Sequence, residues 1–364
     1  MDIKENNIVL VGGGHTHLEL LRMAKGDQKF LDKVILISDN RYTYYSGMIS
    51  SWLEGIYTKE ESSVDLEAIA LRYGIYFINS PVVKIDAKNK QLLLGNEEII
   101  KYEMVSFDIG STSEKLDEKK INNNQFTVKP FESLSALRRI IESSSSGNIA
   151  VVGSGAASLE IALAIGGQNV SNRLVTIVLG SRGLLPRGPN RLRKAFVKRI
   201  RRNPKIEIVD QIQFGIEKGI WINEEKSDFY DAVIWATGPR GKNLFKVSQL
   251  KVDKNGYLVV NNTLQSITSD SIFAAGDCAS IKELELAKNG VNAVRQAPIL
   301  YNNLKAVIEG KSLQSYIPKK NQLAIFSTGG RTAILHFGWV IWSGKVPWMI
   351  KNFIDSGYMK KHKR

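Results

Sequence analysis

The residues of this chain whose types and spacing suit a chemical function lie in two glycine-rich turns. The later one joins an apolar run, Ile149–Val152, to Gly153-x-Gly155, and a helix of small residues follows at once. Gly153 permits a tight turn, Gly155 lets the backbone approach a pyrophosphate, and Ser158 is small enough for the helix to pack on the strand. Because the free N–H groups at the helix start would face phosphates, the turn predicts a dinucleotide site.

The same pattern occurs near the N-terminus, where the run Ile8–Val11 also leads into a helix. The turn between them consists of three glycines, Gly12, Gly13 and Gly14. His17 stands where the third glycine usually is, so we expect its ring to point away from the strand or the helix to sit further out. For His15 and His17 two interpretations stay open: polar residues on an exposed helix start, or groups beside a bound cofactor.

Each turn should be followed by a strand whose end carries an acid for a ribose, about 20 residues past the glycines. After the first turn, the strand Val34–Ile37 ends in Ser38 and Asp39, and we expect one of these two to contact the ribose. After the second turn, the strand Leu174–Leu179 runs into Arg182 without meeting an acid. Arg182 would suit the 2′-phosphate of NADPH, unless this strand end is simply solvated.

The composition indicates a folded chain with room for two domains and a tail. Of its 364 residues, 43% are hydrophobic and 24% charged, which argues against general disorder. The single cysteine, Cys278, excludes an intrachain disulfide, a cysteine-based metal site and a Cys-x-x-Cys redox pair. We expect Cys278 to be a small buried residue, and we expect no metal. The first strand begins within eight residues and no apolar stretch is long enough to span a membrane, so we expect neither a signal peptide nor a transmembrane segment.

The net charge of +14 is concentrated in two stretches, Arg182–Lys205 and Lys360–Arg364. A basic surface attracts nucleic acid, anionic lipid or phosphorylated cofactors. No known nucleic-acid-binding pattern accompanies these stretches, so we expect no nucleic acid partner. A homodimer stays open.

Between the turns, the loop Arg41–Met48 is rich in tyrosine and contains Ser46 and Gly47. It would pass close to something flat, or form an ordinary turn with packed tyrosines. Four alternating segments further on predict a small β-meander: Gly74–Ile78, Val82–Asp86, Lys90–Leu94 and Glu98–Tyr102.

Further strands and helices follow from apolar runs. Two buried-type strands end at glycines, Gly110 and Gly238. A third apolar run delivers Gly276 and Asp277 to what we expect to be a helix start, where backbone N–H groups meet a pyrophosphate and the acid accepts from a hydroxyl. The remaining stretches predict a linker, two helices and a later helix: Ser113–Gln125, Ser133–Ser143, Pro186–Arg202 and Gly290–Ala297.

Together these features resemble the two-dinucleotide-domain flavoproteins of the pyridine nucleotide-disulfide oxidoreductase superfamily, and within it the type II NADH dehydrogenase branch. More narrowly, the chain resembles the flavoprotein that some genomes fuse ahead of selenophosphate synthetase. The narrower resemblance is carried by Val11–His17, Tyr45–Met48, Asp108–Ser111, Val294–Ala297 and Ile325–Gly330. The resemblance covers nearly the whole chain.

The resemblance implies an α/β fold with two Rossmann-like domains, glutathione reductase-like, the second inserted in the first. The FAD domain would comprise residues 1–113 and 241–310, the NAD(P)H domain residues 114–240, and a C-terminal segment residues 311–364. In type II dehydrogenases the acid in the place of Glu160 lies near flavin and nicotinamide, so Glu160, Arg295 and Gln296 are the predicted catalytic groups. The predicted cofactor-binding residues are Gly12, Gly13, Gly14, His15, His17, Ser38, Asp39, Ser46, Gly47, Val83, Gly110, Gly153, Gly155, Ser158, Arg182, Gly238, Gly276, Asp277, Arg295 and Gln296.

The implied activity is an FAD-dependent oxidoreductase that passes hydride from NADH or NADPH to flavin and electrons on to a quinone-type acceptor, without pumping protons. Disulfide reductases and sulfide:quinone oxidoreductases need paired cysteines, which this chain lacks. Two alternatives stay open: a reductase that serves selenium or sulfur metabolism with a small soluble acceptor, and a flavin-binding redox sensor with little turnover.

The C-terminal stretch Leu323–Arg364 differs in composition from the rest of the chain. Three of the six tryptophans, Trp339, Trp342 and Trp348, fall within ten residues, and the stretch also contains Lys345, Lys351 and the basic run Lys360–Arg364. Tryptophan and aliphatic residues with a basic flank fit a segment in the interface of an anionic membrane, where quinone is available. The alternative is a segment that caps the flavin pocket. We therefore expect a cytoplasmic protein, either free or bound to the cytoplasmic face of the membrane.

Overall fold

The computed structural model describes residues 7–113, 124–143, 146–168, 172–211, 216–217, 220–221, 229–319 and 321–363. Most of the predicted linker Ser113–Gln125 lies outside the described residues. The fold is α/β and contains two five-stranded parallel sheets, as the two glycine turns predict. The predicted division into 1–113 with 241–310, 114–240 and 311–364 stays a prediction.

The first sheet carries the N-terminal glycine turn. Its central strand, Ile8–Val11, is buried throughout, which explains why its sequence is continuously apolar rather than alternating. In spatial order the parallel strands are Ile272–Ala274, Met104–Phe107, Ile8–Val11, Val34–Ser38 and Tyr76–Asn79. The helices in the same stretches of chain are His15–Met23, Gln28–Leu31, Ile49–Leu53, Leu66–Tyr73, Leu244–Val247 and Gly290–Ile308.

The second sheet repeats this plan around the second glycine turn. In spatial order its parallel strands are Gln125–Thr127, Ala232–Trp235, Ser146–Val152, Asn172–Leu179 and Ile206–Asp210. The helices in this stretch are Phe131–Ser143, Ala156–Gly166 and Asn190–Arg201. Each sheet has its own hydrophobic core, and Leu18, Leu20 and Leu21, which fall at helical spacing, are buried in the first.

Smaller sheets and single turns complete the described residues. Two three-stranded antiparallel sheets are Val82–Asp86, Gln91–Leu94 and Ile99–Lys101, and Ala324–Ser327, Ala333–Phe337 and Val340–Gly344. Two-stranded pairs join Tyr42–Tyr44 to Ser63–Asp65, Thr112–Ser113 to Pro239–Arg240, Ile216–Glu217 to Ile220–Trp221, and Leu258–Val260 to Ala279–Ile281. Single 3₁₀ turns cover Ser46–Met48 and Gly276–Cys278, and the last helix is Lys345–Lys363. Among the described residues, no helix is both long and apolar enough to cross a membrane.

Three sequence-based predictions of elements are wrong in detail. The segment Gly74–Ile78 does not open the meander, because Tyr76–Asn79 pairs in parallel with Val34–Ser38 in the first sheet. The basic helix begins at Asn190, because Pro189 before it has an extended backbone. Asp277 lies in a single 3₁₀ turn rather than at a helix start, because the chain continues directly into the strand Ala279–Ile281.

Candidate functional site

The first glycine turn places the start of the helix His15–Met23 beside the end of the strand Met104–Phe107. Gly12 has a φ of +94°, a conformation that side chains rarely adopt, and a Cβ there would overlap the carbonyl oxygen of Asp108. Gly13 packs against the buried side chain of Leu66. Gly14 is the N-cap residue of the helix and offers no side chain to cap it.

A buried acid supplies that cap instead. Oδ2 of Asp108 accepts hydrogen bonds from the backbone N–H of Thr16 at 2.7 Å and of His17 at 3.1 Å. Burial raises the pKa of Asp108 to about 6, although the N–H groups oppose the shift. Asp108 is not among the predicted site residues, because the sequence around it does not show that its side chain faces the first glycine turn.

His17 is buried completely, so the interpretation as a residue on an exposed helix start is wrong for it. Its Nδ1 lies 2.7 Å from the carbonyl oxygen of Gly12, and its Nε2 lies 2.9 Å from Oγ of Ser106. Burial lowers the pKa of His17 to about 4. The ring thus points towards the strands rather than away from them, and it ties the glycine turn to the sheet.

His15 and Arg295 carry polar atoms that fit a bound cofactor. Nε2 of His15 and Nη1 of Arg295 are buried and have no hydrogen-bond partner among the described residues. The His15 ring stacks on Tyr358 and contacts Tyr45, with ring centroids 5.4 and 5.2 Å apart. Buried donors without partners are costly, so a ligand with phosphate or carbonyl oxygens would satisfy them. The residues present therefore fit FAD at the first turn.

The turn that carries Gly276 and Asp277 closes the same site. The N–H of Gly276 donates to Oε1 of Gln296 at 2.7 Å, so Gln296 holds this turn. Asp277 pairs with Lys129, whose Nζ lies 3.3 Å from Oδ2 of Asp277 and 2.7 Å from Oγ of Ser111. Sequence reasoning missed Lys129, and no pattern around it signals that the second sheet brings it to the first.

The neighbouring Cys278 behaves as predicted. It is buried, and its thiol donates to the carbonyl oxygens of Phe107 and Ala275 at 3.2 Å each. Burial raises the pKa of Cys278 to about 12. The thiol therefore stays protonated and packs as a small apolar group. Gly110, three residues after Phe107, has a φ of +65° and open space where a Cβ would lie.

The residues predicted to contact the ribose lie at the carboxyl end of the strand Val34–Ser38 in the first sheet. Ser38 is buried, and Asp39 is half-exposed with its Oδ2 3.1 Å from Nζ of Lys242. Val83 lies in a bulge of the strand Val82–Asp86 and is 45% exposed. Their contacts with a cofactor stay predictions.

The second glycine turn is built like the first but is open. Gly153 has a φ of +154°, and a Cβ there would overlap the carbonyl oxygen of Ala236. Gly155 caps the helix Ala156–Gly166 with open space around its Cα, and Oγ of the buried Ser158 donates to the carbonyl oxygen of Gly155 at 2.7 Å. Gly238 and Arg182 lie exposed near this opening, where their predicted contacts stay predictions.

An ionisable cluster joins the second turn's helix to the last helix. Oε1 of Glu160 accepts from the N–H of Ser327 at 2.8 Å, and burial raises the pKa of Glu160 to about 7. The charge of Lys351 acts on Glu160 in the opposite direction. Nζ of Lys351 donates to Oδ2 of Asp355 and to the carbonyl oxygen of Gly47, both at 2.6 Å. Tyr45 completes the cluster, its hydroxyl 3.1 Å from Oδ1 of Asp355.

This cluster gives the predicted loop Arg41–Met48 a definite neighbour. Ser46 and Gly47 form the 3₁₀ turn that follows Tyr45, and Gly47 is the residue that Lys351 contacts. The loop thus packs against the last helix. Sequence reasoning singled out Glu160 but missed Lys351 and Asp355, whose i, i+4 spacing on a helix is the signal that could have found them.

Comparison with known proteins agrees with the two sheets and the two turns. The sequence model of the pyridine nucleotide-disulphide oxidoreductase family matches residues 6–297. The chain is 23% identical over 371 residues to the NADH dehydrogenase-like protein YutJ of Bacillus subtilis, covering 98% of both. It is 24% identical over 366 residues to a type II NADH:quinone oxidoreductase of Haemophilus influenzae, covering 85% of this chain and 82% of that one.

Solved structures share the fold. The sulfide:quinone oxidoreductase of Aquifex aeolicus superposes with a TM-score of 0.78 at 16% identity, covering 98% of this chain and 91% of that one. NDH2 of Plasmodium falciparum in complex with NADH superposes with a TM-score of 0.77 at 15% identity, covering 99% and 97%. At these identities the likeness shows a common architecture.

Proposed function

The chain belongs to the pyridine nucleotide-disulphide oxidoreductase family, and we propose that it takes hydride from NADH or NADPH onto FAD and passes the electrons to a quinone-type acceptor. The family consists of flavin-dependent NAD(P)H oxidoreductases, and the single cysteine is consistent with a member that uses no dithiol. The type II NADH:quinone oxidoreductases among its distant relatives support the choice of acceptor.

FAD would be held at the first glycine turn. Two buried polar atoms that have no hydrogen-bond partner among the described residues, Nε2 of His15 and Nη1 of Arg295, support this assignment, and Gln296 holds the turn that carries Asp277. NAD(P)H would bind at the second turn, where Gly155 leaves the helix start open. On this proposal, residues 1–113 and 241–310 hold the flavin and residues 114–240 hold the nicotinamide nucleotide.

The cluster of Glu160, Lys351 and Asp355 is the observation that carries the proposal. Glu160 belongs to the helix that starts at the second turn, whereas Lys351 contacts Gly47 in the loop predicted to bind FAD. Elements predicted for both cofactors thus meet at one set of ionisable groups, and the last helix covers them. A proton donor is needed at such a place, since reduction of a quinone takes up protons as well as electrons.

Within this cluster the protein can hold and release a proton. FAD, when bound, supplies the two-electron carrier between nicotinamide and acceptor. Because the pKa of Glu160 is raised to about 7, its carboxyl group is about half protonated near neutral pH. The N–H of Ser327 holds Oε1, which leaves Oε2 to carry the proton. The charge of Lys351 opposes the burial that raises the pKa of Asp355, and its Nζ, 2.6 Å from Oδ2, fixes that carboxyl group in place.

Replacing Glu160 with glutamine is expected to slow acceptor reduction by about 100-fold, because a positioned general acid contributes at least that much. Wild-type acceptor reduction should be fast below pH about 7 and slow as pH rises through that value, since the protonated carboxyl is the donor. The variant should lose this pH dependence. Anaerobic double mixing, first with NAD(P)H and then with a short-chain quinone, measures both steps.

Glu54→Gln is the matched control, because Glu54 also accepts a backbone N–H of the C-terminal stretch, that of Gly330. Burial also raises the pKa of Glu54. We expect its acceptor reduction to stay within about twofold of the wild type. Equal slowing in both variants would contradict a proton-donor role for Glu160.

The same cluster supports a second candidate, the reduction of a small polar acceptor in selenium or sulfur metabolism, because ionisable side chains suit a polar acceptor. Flavin that is reduced by NAD(P)H, is not reoxidised by quinone, and is reoxidised by a small sulfur or selenium oxyanion would favour this candidate. Reoxidation by quinone alone would favour the first.

The exposed apolar residues of the C-terminal stretch support an acceptor in a membrane. Trp339 and Phe353 are each 80% exposed, and the basic helix Asn190–Arg201 lies beside Trp339, with Arg191 donating to the carbonyl oxygen of Trp339 at 3.4 Å. Apolar side chains next to positive charge favour an anionic lipid surface.

Vesicles that contain phosphatidylglycerol are therefore expected to sediment the protein, and added salt should release it. The double variant Trp339→Ser/Phe353→Ser should bind at least about tenfold more weakly. Ile99→Ser, which removes an apolar group exposed to 59% in the small meander, should bind like the wild type. Equal binding by the double variant would contradict a membrane role for this surface.

A further inference from the structure

The two glycine turns are joined to the strand beside them by equivalent hydrogen bonds, which allows a position-by-position comparison within one chain. The N–H of Asp108 donates to the carbonyl oxygen of Val11 at 2.9 Å, and the N–H of Ala236 donates to that of Val152 at 2.8 Å. The carbonyl oxygens of Asp108 and Ala236 are the atoms that exclude a Cβ from Gly12 and Gly153. Asp108 and Ala236 are therefore equivalent positions.

Their side chains make the two turns different. At the second turn, Ala236 has no polar group, and the helix start at Gly155 is open. At the first turn, the carboxylate of Asp108 accepts from two of the N–H groups that the helix would otherwise offer to a phosphate. The same carboxylate lies against Gly14 and Gly276, the backbone predicted to meet the pyrophosphate.

A second observation places a ligand at this turn. Nε2 of His15 is buried without a hydrogen-bond partner in the part of the chain that the structure describes, and the charges of both Asp108 and Asp277 act on the His15 ring. An unsatisfied donor or acceptor at this depth indicates a missing polar partner. The first turn thus offers a binding site for a ligand anion, but the Asp108 carboxylate already places a negative charge there.

We propose that Asp108 makes FAD binding proton-linked: the neutral acid admits the pyrophosphate to the first glycine turn, and the carboxylate repels it. This inference rests on the proposed function, because it needs FAD at this turn. The neutral group can still accept the N–H of Thr16 through Oδ2. No oxidant, reductant or second ligand is required, since a single proton moves from solvent to Asp108 when FAD binds.

The charged and titratable groups around Asp108 do not replace it in this role. His17 stays neutral because burial lowers its pKa to about 4, and Cys278 stays a thiol because burial raises its pKa to about 12. Burial likewise keeps Tyr358 a phenol by raising its pKa. Asp277 is paired with Lys129 at 3.3 Å. His15 is the remaining titratable group beside Asp108, so a variant of His15 is needed as a control for the dependence of FAD binding on pH.

The sign and size of the effect follow from the linkage relation. The pKa of Asp108 is about 6 without a ligand and rises further when a second anion is adjacent. FAD should therefore bind most tightly below pH 6 and more weakly as pH rises through that value. Between about pH 5.5 and about pH 7.5 the dissociation constant should increase by about 20-fold. The pyrophosphate diester itself does not titrate in this range.

The test dilutes flavin-loaded full-length protein at about pH 5.5 and about pH 7.5 and measures FAD release by its fluorescence. The wild type should show the 20-fold difference, and Asp108→Asn, which keeps the shape and the acceptor oxygen, should show less than about threefold. His15→Gln should keep the wild-type dependence on pH. Calorimetry in two buffers of different ionisation enthalpy should show about one proton taken up per FAD at pH 7.5, and none in Asp108→Asn.

The second turn supplies a reciprocal test. Ala236→Asp should weaken NAD(P)H binding at about pH 7.5 by at least about tenfold, whereas Ala236→Asn should weaken it by less than about threefold. A dependence on pH that persists unchanged in Asp108→Asn would overturn the inference and leave the proposed function standing. Failure of the wild type to bind FAD at either pH would overturn both.

Discussion

The Gly12→Ala protein is expected to purify without bound FAD. Gly12 has a φ of +94°, and a Cβ there would overlap the carbonyl oxygen of Asp108 and come within 2.7 Å of its carbon. The strained backbone costs about 1–3 kcal/mol, and the clash is with a strand end that cannot move without disturbing the first sheet. Because the helix start would shift away from the phosphates, FAD affinity should fall by more than about 100-fold. The ratio of flavin to protein absorbance measures the occupancy.

Gly26→Ala is the matched control, since Gly26 has nearly the same φ, +92°, with nothing within 4 Å of an added Cβ. It isolates the conformational cost, and we expect full FAD occupancy with a loss of about 1 kcal/mol in the free energy of unfolding. Normal occupancy in Gly12→Ala would mean that the first turn does not hold the cofactor.

Replacing Lys351 with methionine is expected to lower the free energy of unfolding by about 3–5 kcal/mol. Lys351 and Asp355 are 9% and 6% exposed, and their charged atoms are 2.6 Å apart. Removal of the ammonium group leaves a buried carboxylate without a counter-charge, and Tyr45 alone cannot neutralise it. Since burial raises the pKa of Asp355, the loss should be greatest at high pH and should shrink as falling pH protonates that acid. Urea unfolding at several pH values measures it.

Two variants separate this effect from a general loss of packing. Lys351→Met/Asp355→Leu removes both charges and should recover most of the lost stability. Arg41→Met breaks an ion pair with Asp65 that is also 2.6 Å long but 46% exposed on the arginine side, so it should cost far less stability than Lys351→Met. Equal losses for the buried and the exposed pair would contradict the role of burial.

The sequence alone predicts the architecture because the two glycine turns and their apolar strands are local patterns. Ile8–Val11 and Ile149–Val152 are recognisable without knowledge of any neighbour, and parallel pairing follows from the intervening helices. The pairing of the strand Tyr76–Asn79 is not predictable in this way, since alternation in a short segment does not indicate which strand it pairs with.

The site is less predictable because its contacts join distant parts of the chain. Asp108 lies 92 residues from Thr16, and Tyr45 lies 310 residues from Asp355. The burial of His17 depends on Ser106, which no spacing rule connects to it. The resemblance to a known family identifies Glu160. The residues that bind its carboxyl group or act on its pKa, Ser327 and Lys351, belong to the C-terminal stretch.

Anaerobic mixing of the purified yellow protein with NADH or NADPH, followed by flavin absorbance, tests whether hydride passes between the two turns. We expect rapid bleaching by at least one nucleotide, loss of bleaching when Gly153 is replaced by valine, and return of the colour on addition of a short-chain quinone. Yellow protein that neither nucleotide bleaches would contradict the proposed function and favour a flavin-binding redox sensor.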